Sequence, residues 1–173
     1  MLGSDWHCEN LRVDTVIVTR RPEHPDAAAQ LHAYMTDVAS RWYSRPATRE
    51  EIAQALADEP ADDLTGPGGY LAVIELDGVA LGIGGIRFFD AETAELTKIY
   101  TEPSARGRGL GTAIVDHLES VAAVRGRTIA RLDTRSDLVE ACRLYERSGY
   151  QRVPAFSDSP YSDRWYAKPL AGH

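Results

Sequence analysis

The sequence predicts an α/β fold with a mixed, mostly antiparallel sheet, and three observations carry that expectation. Tyr70–Leu76 and Val79–Phe89 are strand-like runs joined by Asp77-Gly78, a strong two-residue hairpin signal, and Asp90-Ala91-Glu92 turns the chain into a third run, Ala94–Thr101. That run leads through Arg106-Gly107-Arg108-Gly109-Leu110-Gly111 into a stretch with apolar residues at helical spacing. A further strand, Thr128–Asp133, follows the helix, and a crossover through a helix sets it parallel to Ala94–Thr101.

The remaining elements follow in chain order. Thr15–Thr19 is short, β-branched and strand-like. After Pro22 and Pro25, Asp26 is the expected cap of a helix running to about Ser40, marked by Ala28, Leu31, Met35 and Val38. Thr48 and Glu51 form a capping box ahead of Ile52, Ala55 and Leu56, which predicts a second helix. The Pro-, Gly- and Asp-rich residues 58–69 read as a loop. Gly82, Gly84 and Gly85 inside Val79–Phe89 signal a bulge or the close approach of another backbone. The helix after the glycine turn carries Leu110, Ile114, Leu118 and Val121 on one stripe and stops at Gly126. Asp137 and Glu140 are candidate caps for a last helix with Leu138, Ala141, Cys142 and Tyr145 inward, ended by Gly149. Tyr150–Val153 and Arg164–Leu170 read as a closing strand pair.

The 173 residues suffice for one domain with a sizeable core, and 43% hydrophobic with 26% charged residues is ordinary for a globular protein. Residues 13–173 are expected to form that single domain, with 1–12 as a flexible N-terminal tail. A formal net charge of −7 argues against a nucleic-acid partner. The two cysteines, Cys8 and Cys142, lack metal-ligand spacing and fit a reducing compartment. Met1 to Asn10 has no apolar core of the secretory kind, and no apolar run reaches the length of a membrane span, so the expected location is the cytoplasm, away from membrane. The five histidines show no ligand spacing, so no metal is expected.

A strand, a glycine-rich turn and a helix N-terminus make an anion cradle. Glycine lets a ligand approach the backbone, the first N–H groups of the helix have no internal acceptor, and the helix dipole favours negative charge. Arg106 and Arg108 add local positive charge to a guest that carries phosphate. Asp133, about twenty residues on at a strand end, suggests a dinucleotide fingerprint. Thr112 stands where its third glycine belongs, however, and the preceding hairpins contradict a βαβ opening. A nucleotide-triphosphatase phosphate loop is absent, because no Gly-Lys-Ser/Thr ending occurs.

From about Val16 to Leu170 the chain resembles the GNAT superfamily of N-acetyltransferases. Arg106 to Gly111 matches the superfamily's Q/R-x-x-G-x-G/A signature for the pyrophosphate of coenzyme A, and Ala141-Cys142-Arg143-Leu144-Tyr145-Glu146-Arg147-Ser148-Gly149-Tyr150 is similar to its A-x-x-L-Y-x-x-x-G-F/Y hallmark. Glu95 and the run from Tyr100 to Pro103 are also typical. The resemblance implies a sheet splayed at its centre, between the strands ending at Thr101 and Asp133, often with a bulge near Ile99. It further implies acetyl-coenzyme A as co-substrate and dimerisation through the C-terminal strands as a common arrangement. Many relatives carry Asn three residues before the hallmark alanine; here that residue is Leu138, which weakens that one contact.

In this reading the backbone N–H groups of Gly107, Arg108, Gly109, Leu110, Gly111 and Thr112, with the side chains of Arg106 and Arg108, bind the pyrophosphate. The peptide-like pantetheine arm pairs with the strand edge at Ile99, Tyr100 and Thr101. An alkyl ammonium, with a pKa near ~10, must lose its proton before it can attack, and Glu95 is the candidate base, acting through water. Glu95 reads also as a solvated strand charge paired with Lys98 or an arginine. The Ile99 N–H is the implied oxyanion donor, and Tyr145 the candidate acid for the departing thiolate. Tyr145 reads also as a packed aromatic, and Cys142, on an apolar stripe without a histidine, as a buried core residue.

Arg41, Trp42 and Tyr43 divide evenly between acceptor-pocket lining and helix-end packing. Tyr161 and Asp163, in the loop beginning near Ser157, form a second candidate rim able to meet an amine. The expected function is direct transfer of an acetyl group to a primary amine of a small molecule. A protein or peptide acceptor, or a non-catalytic acyl-coenzyme A sensor, are the alternatives.

Overall fold

The expected hairpins are present and sit side by side in one sheet. A computed structural model describes residues 15–171; the expected tail 1–12, with Cys8, lies outside the described residues. The elements are β1 (Thr15–Thr19), α1 (Pro25–Tyr43), α2 (Arg49–Asp58), β2 (Gly69–Leu76), β3 (Val79–Phe88), β4 (Thr93–Thr101), α3 (Leu110–Val124), β5 (Ile129–Thr134), α4 (Val139–Arg147), β6 (Gln151–Arg152) and β7 (Arg164–Pro169). The seven strands lie in the order β1-β2-β3-β4-β5-β7-β6. All neighbours are antiparallel except β4 and β5, which are parallel as the helical crossover requires.

Both faces of the sheet are covered, which explains why β2 is apolar without alternation. Tyr70 and Ala72 join the cluster with Ile114, Val115 and Leu118 of α3, while Leu71 and Val73 join the cluster with Ala27 and Leu31 of α1. Gly84 of β3 lets α3 approach closely: a Cβ there would lie 2.8 Å from Ile114 Cγ1 and 2.9 Å from Leu118 Cδ1. Gly82 sits beside a bulge in the β2–β3 ladder, where a Cβ would lie 2.8 Å from the Tyr100 carbonyl, so the glycine signal marks a bulge and a close backbone as well as helix packing.

Two expectations about helix starts are corrected. The cap of α1 is His24, whose Nδ1 accepts from Asp26 N at 3.2 Å. Pro25 dictates this, because its fixed φ suits the first helical position and forces the preceding residue to be extended. Asp26 falls in the first turn, and the helix runs on past Ser40 to Tyr43. The last helix starts after Leu138 with no side-chain cap; Asp137 is drawn instead to Arg135, whose Nε lies 2.9 Å from it. The capping box at Thr48 and Glu51 forms fully. Arg45 and the box hold the Glu51 carboxyl down at about 2. The closing pair is shorter than expected, because Tyr150 turns into the core at 3% exposure and Pro154 has no N–H to donate.

The sheet opens where the resemblance implies. The β4–β5 ladder pairs Thr93, Ala94 and Glu95 with Ile129, Ala130 and Arg131, then stops. Across β3, Ile83 pairs with Tyr100 and Gly85 with Thr97, so β4 carries one extra residue at Lys98–Ile99. Lys98 takes up the distortion in the left-handed region, at φ 56°. Beyond Glu95 the β5-facing edge of β4 is therefore unpaired and curves away.

Candidate active site

Two cavities meet at this opening. One, of about 230 Å³, is lined by Ile99, Tyr100 and Thr101 on the free edge of β4 and by Arg106, Gly107, Gly109, Leu110, Gly111 and Thr112 around the start of α3. Gly107 and Gly109 adopt φ of 78° and 79°, backbone that disfavours any residue with a Cβ. Gly109 caps α3 with no side-chain bond, so the first-turn N–H groups stay available to an anion. Of the residues expected here, Arg108 does not line the cleft and is exposed. Arg106 is braced beside it, with Nε 3.1 Å from Thr101 O and Nη2 3.7 Å from Asp37.

The second cavity, of about 640 Å³, lies on the α1 side of the sheet and includes Glu95, Thr97, Lys98, Asp133, Arg135 and Tyr161. The two cavities share Tyr34, Val38, Ile99, Leu138, Ala141 and Tyr145. Tyr145 is 6% exposed, packed edge-on against Tyr150, and its hydroxyl has no hydrogen-bond partner among the described residues. Burial pushes that hydroxyl far above the ordinary tyrosine range, so it stays protonated. Tyr34 is shifted upward for the same first cause and is a shared-wall residue that sequence reasoning missed.

Glu95 lines the larger cavity and is also ion-paired. Its Oε2 lies 3.2 Å from both Arg131 Nε and Nη2. Arg131 is itself held between Phe89 and Phe156, 4.2 and 4.3 Å from their ring centroids. Glu95 Oε1 has no protein partner among the described residues. Lys98, one expected partner of Glu95, pairs with Glu59 instead; it is 4% exposed, and burial lowers its pKa. Its Nζ lies 3.0 Å from Glu59 O, while Arg87 reaches Pro60 O at 3.0 Å and Asp63 at 2.6 Å. These two cations tie the loop after α2 against the sheet as a wall of the cavity.

The candidate rim residues separate. Trp42 and Tyr43 line a smaller neighbouring hollow of about 170 Å³, which Tyr161 shares with the main cavity. Trp42 and Tyr161 meet edge-on at 5.3 Å, bridging the end of α1 and the loop before β7. Arg41 lines neither space: it pairs with Asp37 at 3.4 Å and with Glu140 across from α4. Asp163 is corrected too. Its carboxylate accepts from Ser136 N and Oγ, both at 2.6 Å, and fixes the turn after β5. Cys142 is buried at 4% exposure.

Residues 32–150 match the acetyltransferase (GNAT) family. The chain belongs to that family. It is 31% identical over 105 residues to the uncharacterised N-acetyltransferase YjgM of Escherichia coli, covering 59% of this chain and 63% of that one. It is 35% identical over 77 residues to a mycothiol acetyltransferase of Beutenbergia cavernae, covering 44% and 26%. The chain thus spans less than two thirds of the length of either relative. Among solved structures, yncA of Salmonella typhimurium with its cofactor acetyl-CoA superposes with a TM-score of 0.61 at 22% identity, covering 92% and 96%.

Among the described residues no group of His, Cys, Asp or Glu is arranged to hold a metal ion, and no helix is long and apolar enough to cross a membrane.

Proposed function

We propose that this protein is an N-acetyltransferase that takes its acetyl group from acetyl-coenzyme A and acts, in the cytoplasm, on a primary amine of a small molecule, by direct attack in a ternary complex. The observation that carries the reading is the meeting of the two cavities at Ile99, Tyr34 and Tyr145. The larger one, about 640 Å³, is of small-molecule size, and the Trp42–Tyr161 contact bridges its rim. A peptide acceptor calls for an open trough in that place.

The start of α3 and Arg106 bind the pyrophosphate, and the unpaired edge at Ile99–Thr101 receives the pantetheine arm. The Ile99 N–H, at the bulge, stabilises the developing oxyanion. Glu95, through its free Oε1 and a water, takes the proton lost by the ammonium, and Tyr145 protonates the thiolate. Release of free thiol from acetyl-coenzyme A over a panel of small amines and peptides tests this. Turnover with at least one small amine, and none with peptides, is expected; turnover with peptides alone overturns it.

A further inference from the structure

The larger cavity has a charge signature that the family does not dictate. Six carboxylates and three cationic side chains line it. Each cation is already engaged: Arg87 with Asp63, Lys98 with Glu59 and Arg135 with Asp137. The one nitrogen of these cations without a partner among the described residues, Arg135 Nη1, is buried, in a guanidinium 5.0 Å from the Trp42 ring. Among the described residues, no solvent-accessible nitrogen of these cations stands unpaired to receive a carboxylate.

The anions are not matched in the same way. After Asp63, Glu59 and Glu95 are paired, Asp58, Asp62 and Asp133 have no cationic partner among the described residues. Asp58 and Asp62 are exposed, toward the loop after α2; Asp133 alone is half-buried. Its Oδ2 accepts from Ser157 Oγ at 3.1 Å, and Ser157 is in turn held by Trp165 Nε1 at 3.0 Å, which leaves Oδ1 unengaged. A half-buried carboxylate held in place through one oxygen, with the other free, is a ready acceptor for an ammonium's N–H groups.

Its place along the strand is also informative. Glu95 is level with Arg131, the last pair of the ladder, so Asp133 lies two residues closer to the cofactor end, about 6–7 Å. Asp133 lines the same cavity as Tyr34 and Tyr145, the tyrosines of the shared wall.

We infer that Asp133 docks the reacting ammonium of the acceptor, and that the acceptor is a cationic amine with no carboxylate of its own, such as a di- or polyamine. This rests on the small-amine reading and specifies its substrate class. Asp133 binds and aims the ammonium, while Asp58 and Asp62 favour a second positive charge toward the pocket entrance.

Three acceptors of equal length, 1,4-diaminobutane, butylamine and 4-aminobutanoate, separate the outcomes in the thiol-release assay. The expected order of kcat/KM is diamine, monoamine, amino acid, with at least about tenfold between first and last. Asp133→Asn raises KM for the diamine about tenfold or more, leaves kcat within about threefold, and leaves acetyl-coenzyme A affinity and melting temperature unchanged. Asp133→Glu recovers part of the loss. Equal use of all three acceptors, preference for 4-aminobutanoate, or an unchanged KM in Asp133→Asn overturns the inference while the small-amine reading stands. No thiol release with any of them, alongside turnover of a peptide, overturns both.

Discussion

Tyr145 shows how a buried hydroxyl can be put to use. Its ring is an ordinary core member, packed against Tyr150 and Tyr166, yet its O–H has no protein partner and opens onto both cavities. Because this hydroxyl makes no hydrogen bond to the protein among the described residues, removing it should not destabilise the fold. Tyr145→Phe is accordingly expected to keep its melting temperature and both KM values while kcat falls about 10- to 100-fold. Steady-state kinetics with calorimetric melting checks this; unchanged turnover removes the acid assignment. The sign of the pKa shift adds a pH signature. Because burial raises the hydroxyl's pKa, the protonated donor persists through the alkaline range, and the wild-type rate shows no loss from Tyr145 ionisation up to about pH 10. The sequence identified Tyr145 and Glu95 through local motif context. It allowed Glu95 an arginine partner but did not show that this is Arg131, because that pair exists only in the parallel register of two strands 36 residues apart. Asp163 misled for the same reason: an acidic residue in a loop reads as a ligand until its partner, Ser136, 27 residues away, is known.

At the scale of elements, local signals worked where the physics is local. The Asp77-Gly78 turn, with φ of 50° and 78°, and the Thr48–Glu51 box are decided within four residues. The start of α1 went to His24 because Pro25 overrules the better capping residue beside it. The bulge at Lys98 left no trace in the chain itself, since a bulge is a mismatch between two strands. Gly84 is where strand and helix constrain each other most directly. Gly84→Val would drive its side chain into Ile114 and Leu118 and is expected to cost about 1–3 kcal/mol. Denaturant melts measure it; an unchanged midpoint would mean that α3 has room to retreat.

The whole molecule organises its chemistry around the point where one sheet divides. β4 is paired on both sides up to Glu95 and on one side beyond it, so the same strand supplies framework first and a ligand-binding edge afterwards. The cavity beyond that point has a wall made by the loop after α2, and Lys98 and Arg87 hold the loop to the sheet. Lys98→Met, which keeps the stem volume and loses the ammonium, is expected to raise KM for the amine several-fold with acetyl-coenzyme A binding unaltered; parallel changes in both constants would show that the residue supports the bulge and not the wall. The acceptor's charge class was not legible before the partners of each ion were known, because composition counts acids and bases without saying which cancel.

The central claim is that the parted strands admit the thioester while the amides at the start of α3 hold the pyrophosphate. A crystal structure with acetyl-coenzyme A tests it most directly. The account predicts the pantetheine arm paired along Ile99–Thr101, the acetyl oxygen within hydrogen-bond reach of the Ile99 N–H, and the pyrophosphate against Gly107–Thr112. A cofactor seated elsewhere, or a thioester pointing away from Tyr145, would contradict it.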